Sequence, residues 1–216
     1  MSEEKNEGTA AEAEPQGRKF EVICGIVIAL FAAILAVNDL GAGKFGDDEL
    51  IAHNQKNNAY LWYQTKGIKE TLVEEQRNTL QALVAAGSVR PEQLPTIETL
   101  IKTLDAKTRR YGKEKTEILQ GSAGVGQENW SQDVDGKMGQ VIGAKEFETK
   151  ANALGDAGDR FDLATLFLQI SLVLGAISLV TQHARMRSLF FLGMVGLGIV
   201  GLIFSIIAYH KAFSIG

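Results

Sequence analysis

Two apolar stretches near the C-terminus limit what this chain can become. Residues 161–180 read FDLATLFLQISLVLGAISLV and residues 189–209 read LFFLGMVGLGIVGLIFSIIAY, with TQHARMRS at 181–188 between them. Each is about twenty residues long, enough for a helix to cross a hydrocarbon layer ~30 Å thick. The linker is too short to hold a domain and carries His183, Arg185 and Arg187. The pattern predicts a membrane helical hairpin with a basic turn.

Averages over the whole chain hide this. Mean hydropathy is close to zero and the formal charge is −4, as for an ordinary soluble domain. The apolar residues are gathered in blocks with the charges between them, so local distribution decides the class. A mildly acidic chain without an aromatic-plus-basic patch gives no reason to expect nucleic acid as a partner. The single cysteine, Cys24, excludes an internal disulfide framework and a CxxC redox or zinc site. Inside an apolar run it reads as a small packing residue.

Residues 1–19 are acidic and small at the start and end in Arg18 and Lys19, which predicts a disordered tail. Residues 20–38 form a third apolar run. A cleaved secretory signal is an alternative there, given the small residues near Ala36, but the preceding segment is long and acidic where signals are short and basic. A retained span is the preferred reading. Arg18 and Lys19 before this span, and Arg185 and Arg187 in the later turn, act as topology-setting basic residues. Three crossings satisfy both: a cytoplasmic N-terminus, a cytoplasmic turn at 181–188, and an extracytoplasmic middle (39–160) and tail (210–216).

The middle reads as helical. Asp47 and Asp48 suit a helix start, Gly87 suits its stop, and a turn around Pro91 and Pro95 leads to a second helix ending near Gln120. Leu61, Ile68, Leu72, Leu80 and Leu83 on the first, and Ile97, Leu104, Tyr111 and Ile118 on the second, recur at helical spacing. These stripes are expected to zip as an antiparallel coiled coil. Residues 121–140, GSAGVGQENWSQDVDGKMGQ, are aperiodic and glycine-rich and read as a flexible loop. Helical character returns near Ala144, with Gly155 and Gly158 as weak points. The expected fold is an all-α integral membrane protein: three transmembrane helices with an extracytoplasmic helical-hairpin (coiled-coil-like) domain.

At AYLWYQTKGIKETL, residues 59–72, the chain resembles DUF4337, a bacterial family of unknown function. Tyr60, Tyr63, Gln64, Lys66, Ile68 and Lys69 carry the likeness, and Phe161, Asp162, Ala164 and Gln169 resemble the family's penultimate span. The resemblance implies one N-terminal span, an extracytoplasmic helical region and a C-terminal pair of spans. Residues 121–140 look like an insertion relative to typical members. No activity follows from it.

Three sets of residues are candidate sites. Tyr60, Tyr63, Gln64, Lys66 and Lys69 offer aromatic and ammonium groups for an anionic ligand or a lipid headgroup, against a plainer reading as helix packing with snorkelling lysines. Asp162, Thr165 and Gln169 form a polar stripe that can line a pore in an oligomer or hydrogen-bond between helices. Small residues mark close-packing faces: Gly25, Ala29, Ala32 and Ala36 in the first span, Ser171, Gly175 and Ser178 in the second, Gly201 and Ser205 in the third. The phosphate-loop and calcium-loop likenesses in 121–142 fail for want of a Gly-Lys-Ser/Thr end and of an acid at Ile142. No catalytic or metal site and no cofactor is expected. The expected role is a non-catalytic, self-associating inner-membrane scaffold, with a homo-oligomeric channel or transport accessory as the alternative. Expected partners are membrane lipid, further copies of the chain, and another membrane or periplasmic protein.

Overall fold

The computed structural model describes residues 15–215. The expected disordered tail falls outside these residues up to position 14, and from Pro15 to Lys19 the chain is already helical. The elements are α1 (Pro15–Ala85), α2 (Leu94–Gln120), the short α3 (Ser122–Val125), β1 (Asp133–Val134), β2 (Lys137–Met138), α4 (Ala144–Val180) and α5 (Ala184–Phe213). Three of the helices, α1, α4 and α5, are long and apolar enough to cross a membrane. The chain divides into two compact units: the described residues through Phe45 with Asp156–Ser214, and Gly46–Gly155.

In the first unit the packing repeats every seven residues. Buried positions include Cys24, Phe31, Asn38 and Phe45 on α1, Phe161, Ala164, Leu168, Ser171, Gly175 and Ser178 on α4, and Met194, Gly198, Gly201, Ser205, Ala208 and Ala212 on α5. Such spacing lets side chains of one helix enter gaps on the next. Phe31 fills the space over Gly198, where a Cβ would meet its ring, and Gly175 makes the same room for Met194 and Ile28. The hydroxyls inside this core turn to neighbouring backbone: Ser171 Oγ donates to Met194 O (2.7 Å) and Ser178 Oγ to Arg187 O (3.0 Å). Large aliphatics such as Ile26, Leu30, Leu166, Val173, Leu192 and Ile203 face outward, an arrangement that suits hydrocarbon as the surrounding solvent.

The expected break between the first span and the middle helix is absent: α1 is one helix of 71 residues. Gly41, Gly43 and Gly46 weaken it locally, but Gly41 lies against the Tyr209 ring. Phe45 is held among Phe161 (5.9 Å), Tyr209 (6.2 Å) and Phe213 (5.5 Å). Gly87, with φ of 66°, stops the helix as expected. Gly87 N donates to Val84 O and Ser88 N to Leu83 O, which occupies carbonyls the helix end would leave bare. α4 likewise runs unbroken through Gly155 and Gly158.

In the second unit α1 and α2 run antiparallel, with Lys66 meeting Glu114 and Arg77 meeting Asp105. The aliphatic stripe on α1 is not the seam that joins them. Leu61, Ile68 and Leu72 point outward, and Leu83 and Leu100 are exposed as well. On the α1 side charged residues take the contact instead, while Leu104 and Ile118 of the expected α2 stripe are buried.

The 121–140 segment is built rather than bare loop. It holds α3, a single 3-10 turn (Gln127–Asn129) and a two-strand ribbon in which Asp133 pairs with Met138 and Val134 with Lys137. Asp135 and Gly136 take φ of 53° and 79°, the left-handed pair that a two-residue hairpin turn requires.

Candidate functional site

The Tyr-Gln-Lys stretch and the α2 residues opposite it form a polar cluster of the second unit. Lys66 Nζ donates to Glu114 Oε2 at 2.5 Å, and Arg110 Nε donates to Glu114 Oε1 at 2.7 Å. Lys115 Nζ reaches Glu70 Oε2 at 2.7 Å and lies 5.2 Å from the centre of the Tyr63 ring. Asp105 is shared between Arg77 (3.1 Å) and Arg109. Tyr60 OH donates to Glu148 Oε2 on α4 at 3.4 Å. Gln64 and Lys69, from the same candidate set, are exposed and stand apart from these contacts. So Tyr60, Tyr63 and Lys66 are engaged in contacts between helices.

The charges in this layer are tuned by one another. Burial alone would raise the Glu114 carboxyl, but the Lys66 and Arg110 donors outweigh it and hold it below the ordinary glutamate range. The hydrogen bond to Glu70 raises Lys115 above its usual value against the effect of burial. For Tyr60, burial and then the Glu148 carboxylate push the phenol up.

One turn further along α2 lies a second buried carboxylate, Glu117. Its Oε1 accepts from Ser122 Oγ (2.7 Å), and its Oε2 from Ser131 N (2.8 Å), Gln132 N (2.8 Å) and Ser131 Oγ (3.2 Å). Ser122 Oγ in turn accepts from Val141 N at 2.9 Å, and Trp130 Nε1 donates to Ser122 O at 2.9 Å. Glu117 is thus the post on which the 121–141 segment is hung. Every donor to it is neutral, and its role is to order the loop.

The family model described as "Domain of unknown function (DUF4337)" matches residues 20–211. The chain belongs to DUF4337. Neither a curated protein nor a solved structure matches it.

In the helices of this DUF4337 chain that are long and apolar enough to cross a membrane, the expected polar stripe is divided. Thr165 turns inward, where it accepts from the fully buried Asn38 Nδ2 (2.9 Å) and donates to Asp39 Oδ1 (3.0 Å). Asn38 Nδ2 also donates to Phe161 O at 3.1 Å. Asp162 and Gln169 face outward. The small residues divide in the same way. Ser171, Gly175, Ser178, Gly201 and Ser205 lie inside the chain's own core, whereas Gly25, Ala29, Ala32 and Ala36 lie on the outer face of α1. A Cβ at Gly25 would meet nothing within 4 Å.

Sequence reasoning missed Asn38, Glu114 and Glu117 as the polar residues that matter to packing. The signal for two of them was available. Asn38 stands seven residues after Phe31 and fourteen after Cys24, and Glu114 lies between Tyr111 and Ile118 on the expected apolar stripe. A polar residue in such a stripe needs a partner.

Among the described residues there is no group of three or more His, Cys, Asp and Glu placed to hold a metal ion.

Proposed function

We propose that this DUF4337 chain is a non-catalytic, self-associating scaffold or interaction protein of a bacterial inner membrane. The observation that carries the reading is the outward row of Leu61, Ile68 and Leu72 on α1, which are 59%, 63% and 59% exposed. They lie in a stretch too rich in Lys, Glu, Gln and Asn to rest in lipid. Covering one aliphatic side chain is worth about 1.5–3 kcal/mol, and steps of seven and four residues suit a helix laid alongside. The membrane-crossing helices support the same reading. The outer Gly25, Ala29, Ala32 and Ala36 let another helix approach closely, and Gln169 presents an amide outward in the middle of an apolar span, where a protein partner would satisfy it. A second copy of the chain supplies both.

The basic residues support a topology. Arg187, in the first turn of α5, lies over the Phe20 ring, so the starts of α1 and α5 share one end of the first unit. An excess of Arg and Lys in short flanks favours the cytoplasmic side. On this reading the N-terminus and the 181–188 turn are cytoplasmic, and residues 39–160 and the C-terminus are periplasmic.

Native mass spectrometry of the protein in nanodiscs tests the proposal. Oligomers that weaken in Leu61→Gln/Ile68→Gln support it, and a monomer that persists across gentle extraction refutes it. The channel reading draws on Asp162 and Gln169, seven residues apart and both outward on α4. A closed ring of four or more that passes ions, with flux lost in Gln169→Leu, would replace the scaffold by a channel.

A further inference from the structure

The geometry points to a binding site for anionic phospholipid at the Arg18 end of the membrane-crossing unit. Two helices bring cations there, Arg18 and Lys19 from the start of α1, Arg185 and Arg187 from the start of α5. The Arg187 guanidinium lies 4.3 Å from the centre of the Phe20 ring, and Phe20 packs edge-on against Phe191 at 5.3 Å. Arg187 is therefore fixed beside the first apolar turn of α1, and its Nε is buried with no hydrogen-bond partner among the described residues. None of these four cations forms an ion pair among the described residues. Glu21 is the one acidic residue in 15–25 and 181–191.

Below the charges the surface turns apolar at once. Arg18 and Lys19 share one open face of α1 with Val22 and Ile23, both more than half exposed. A phospholipid presents the matching chemistry in the matching order. Its phosphate oxygens suit a guanidinium fork and an ammonium, and its first acyl methylenes suit the two aliphatics one turn deeper. A zwitterionic lipid also carries a phosphate, but its own ammonium competes with the protein's cations. The net positive charge here therefore selects an anionic headgroup. The inference rests on α1, α4 and α5 crossing a membrane and is independent of self-association.

The test uses the full chain in nanodiscs holding equal amounts of phosphatidylcholine and phosphatidylglycerol with the same acyl chains, with retained lipids counted by native mass spectrometry. Phosphatidylglycerol should be retained preferentially, by about fivefold for one engaged cation. Arg18→Gln/Lys19→Gln/Arg187→Gln should erase the preference, and Lys44→Gln/Lys211→Gln, which removes charge at the opposite end of the spans, should leave it intact. Equal retention of the two lipids by the unaltered chain overturns the site, whether or not the triple variant assembles. So does a triple variant with the original preference. Displacement of the retained lipid by excess soluble glycerol phosphate would show a site for the oxyanion alone and would overturn the lipid assignment.

Discussion

Replacing Glu117 by alanine removes the acceptor that gathers four donors of the 121–141 segment. The carboxylate takes hydrogen bonds from two backbone N–H groups, Ser131 and Gln132, both at 2.8 Å, and from the hydroxyls of Ser122 and Ser131. The hydroxyls can rotate to new partners, but the backbone donors cannot. A buried N–H left without an acceptor costs about 1–3 kcal/mol. Ser131 is only half-buried and recovers part of this from water, so the expected loss is about 3 kcal/mol, all of it on the segment. That is roughly a hundredfold in the opening equilibrium. Hydrogen exchange followed by mass spectrometry reads it directly. Peptides covering 122–141 should exchange roughly a hundred times faster in Glu117→Ala, while peptides from the Leu94–Leu104 part of α2 keep their protection. Glu117→Gln retains one oxygen for the two N–H groups and should cost about 1 kcal/mol. Unchanged exchange of 122–141 in Glu117→Ala would refute the claim that the carboxylate holds the segment.

Other consequences can be measured on the same preparation. Because the Glu114 carboxyl is held below its ordinary value of 4.5, its contribution is present above that pH and is lost as pH falls through the lower folded value; thermal melts by circular dichroism should show destabilisation setting in below about pH 4.5. Lys66→Met leaves Glu114 with only the more exposed Arg110, so it should destabilise the α1–α2 contact by about 2–3 kcal/mol and move the acid transition to higher pH. Gly198→Ala drives a Cβ into the Phe31 ring and should cost about 1–3 kcal/mol in detergent unfolding, with partial rescue by Phe31→Leu. Asn38→Leu removes the bonds to Thr165 and Phe161 but also a side-chain oxygen that has no donor; the net loss should stay within about 0.6–1.7 kcal/mol by the same assay.

The long apolar helices were legible because the capacity to cross a membrane is declared by composition, and residues 161–180 and 189–209 have that composition whatever they pack against. Gly87 was legible because a left-handed stop is a local property of the backbone. Periodicity carried less. It showed that Leu61, Ile68 and Leu72 share a face of α1, but it could not say whether that face is covered. The Lys66–Glu114 and Lys115–Glu70 pairs took the inner side. Asp47 and Asp48 argued for a new helix start, but α1 runs on through Gly41, Gly43 and Gly46, with Phe45 held in its aromatic cluster. Asp135–Gly136 was in plain view and was weighed as the start of a calcium loop, although the same pair favours a tight hairpin turn. The donors of Ser122, Ser131 and Gln132 meet on Glu117 only once the chain is folded.

The ends of the 121–143 segment touch. A Cβ on Gly143 would overlap the backbone of Gln120 and Gly121, and Gly121 sits against Gly143 in return. A piece of chain that leaves and re-enters through one such neck transmits little of its own length to the helices on either side. Residues can be added to or cut from its interior while α2 still ends at Gln120 and α4 still begins at Ala144. It is a graft with a single stem, and it gives this chain a place to acquire a new surface without redrawing its helices.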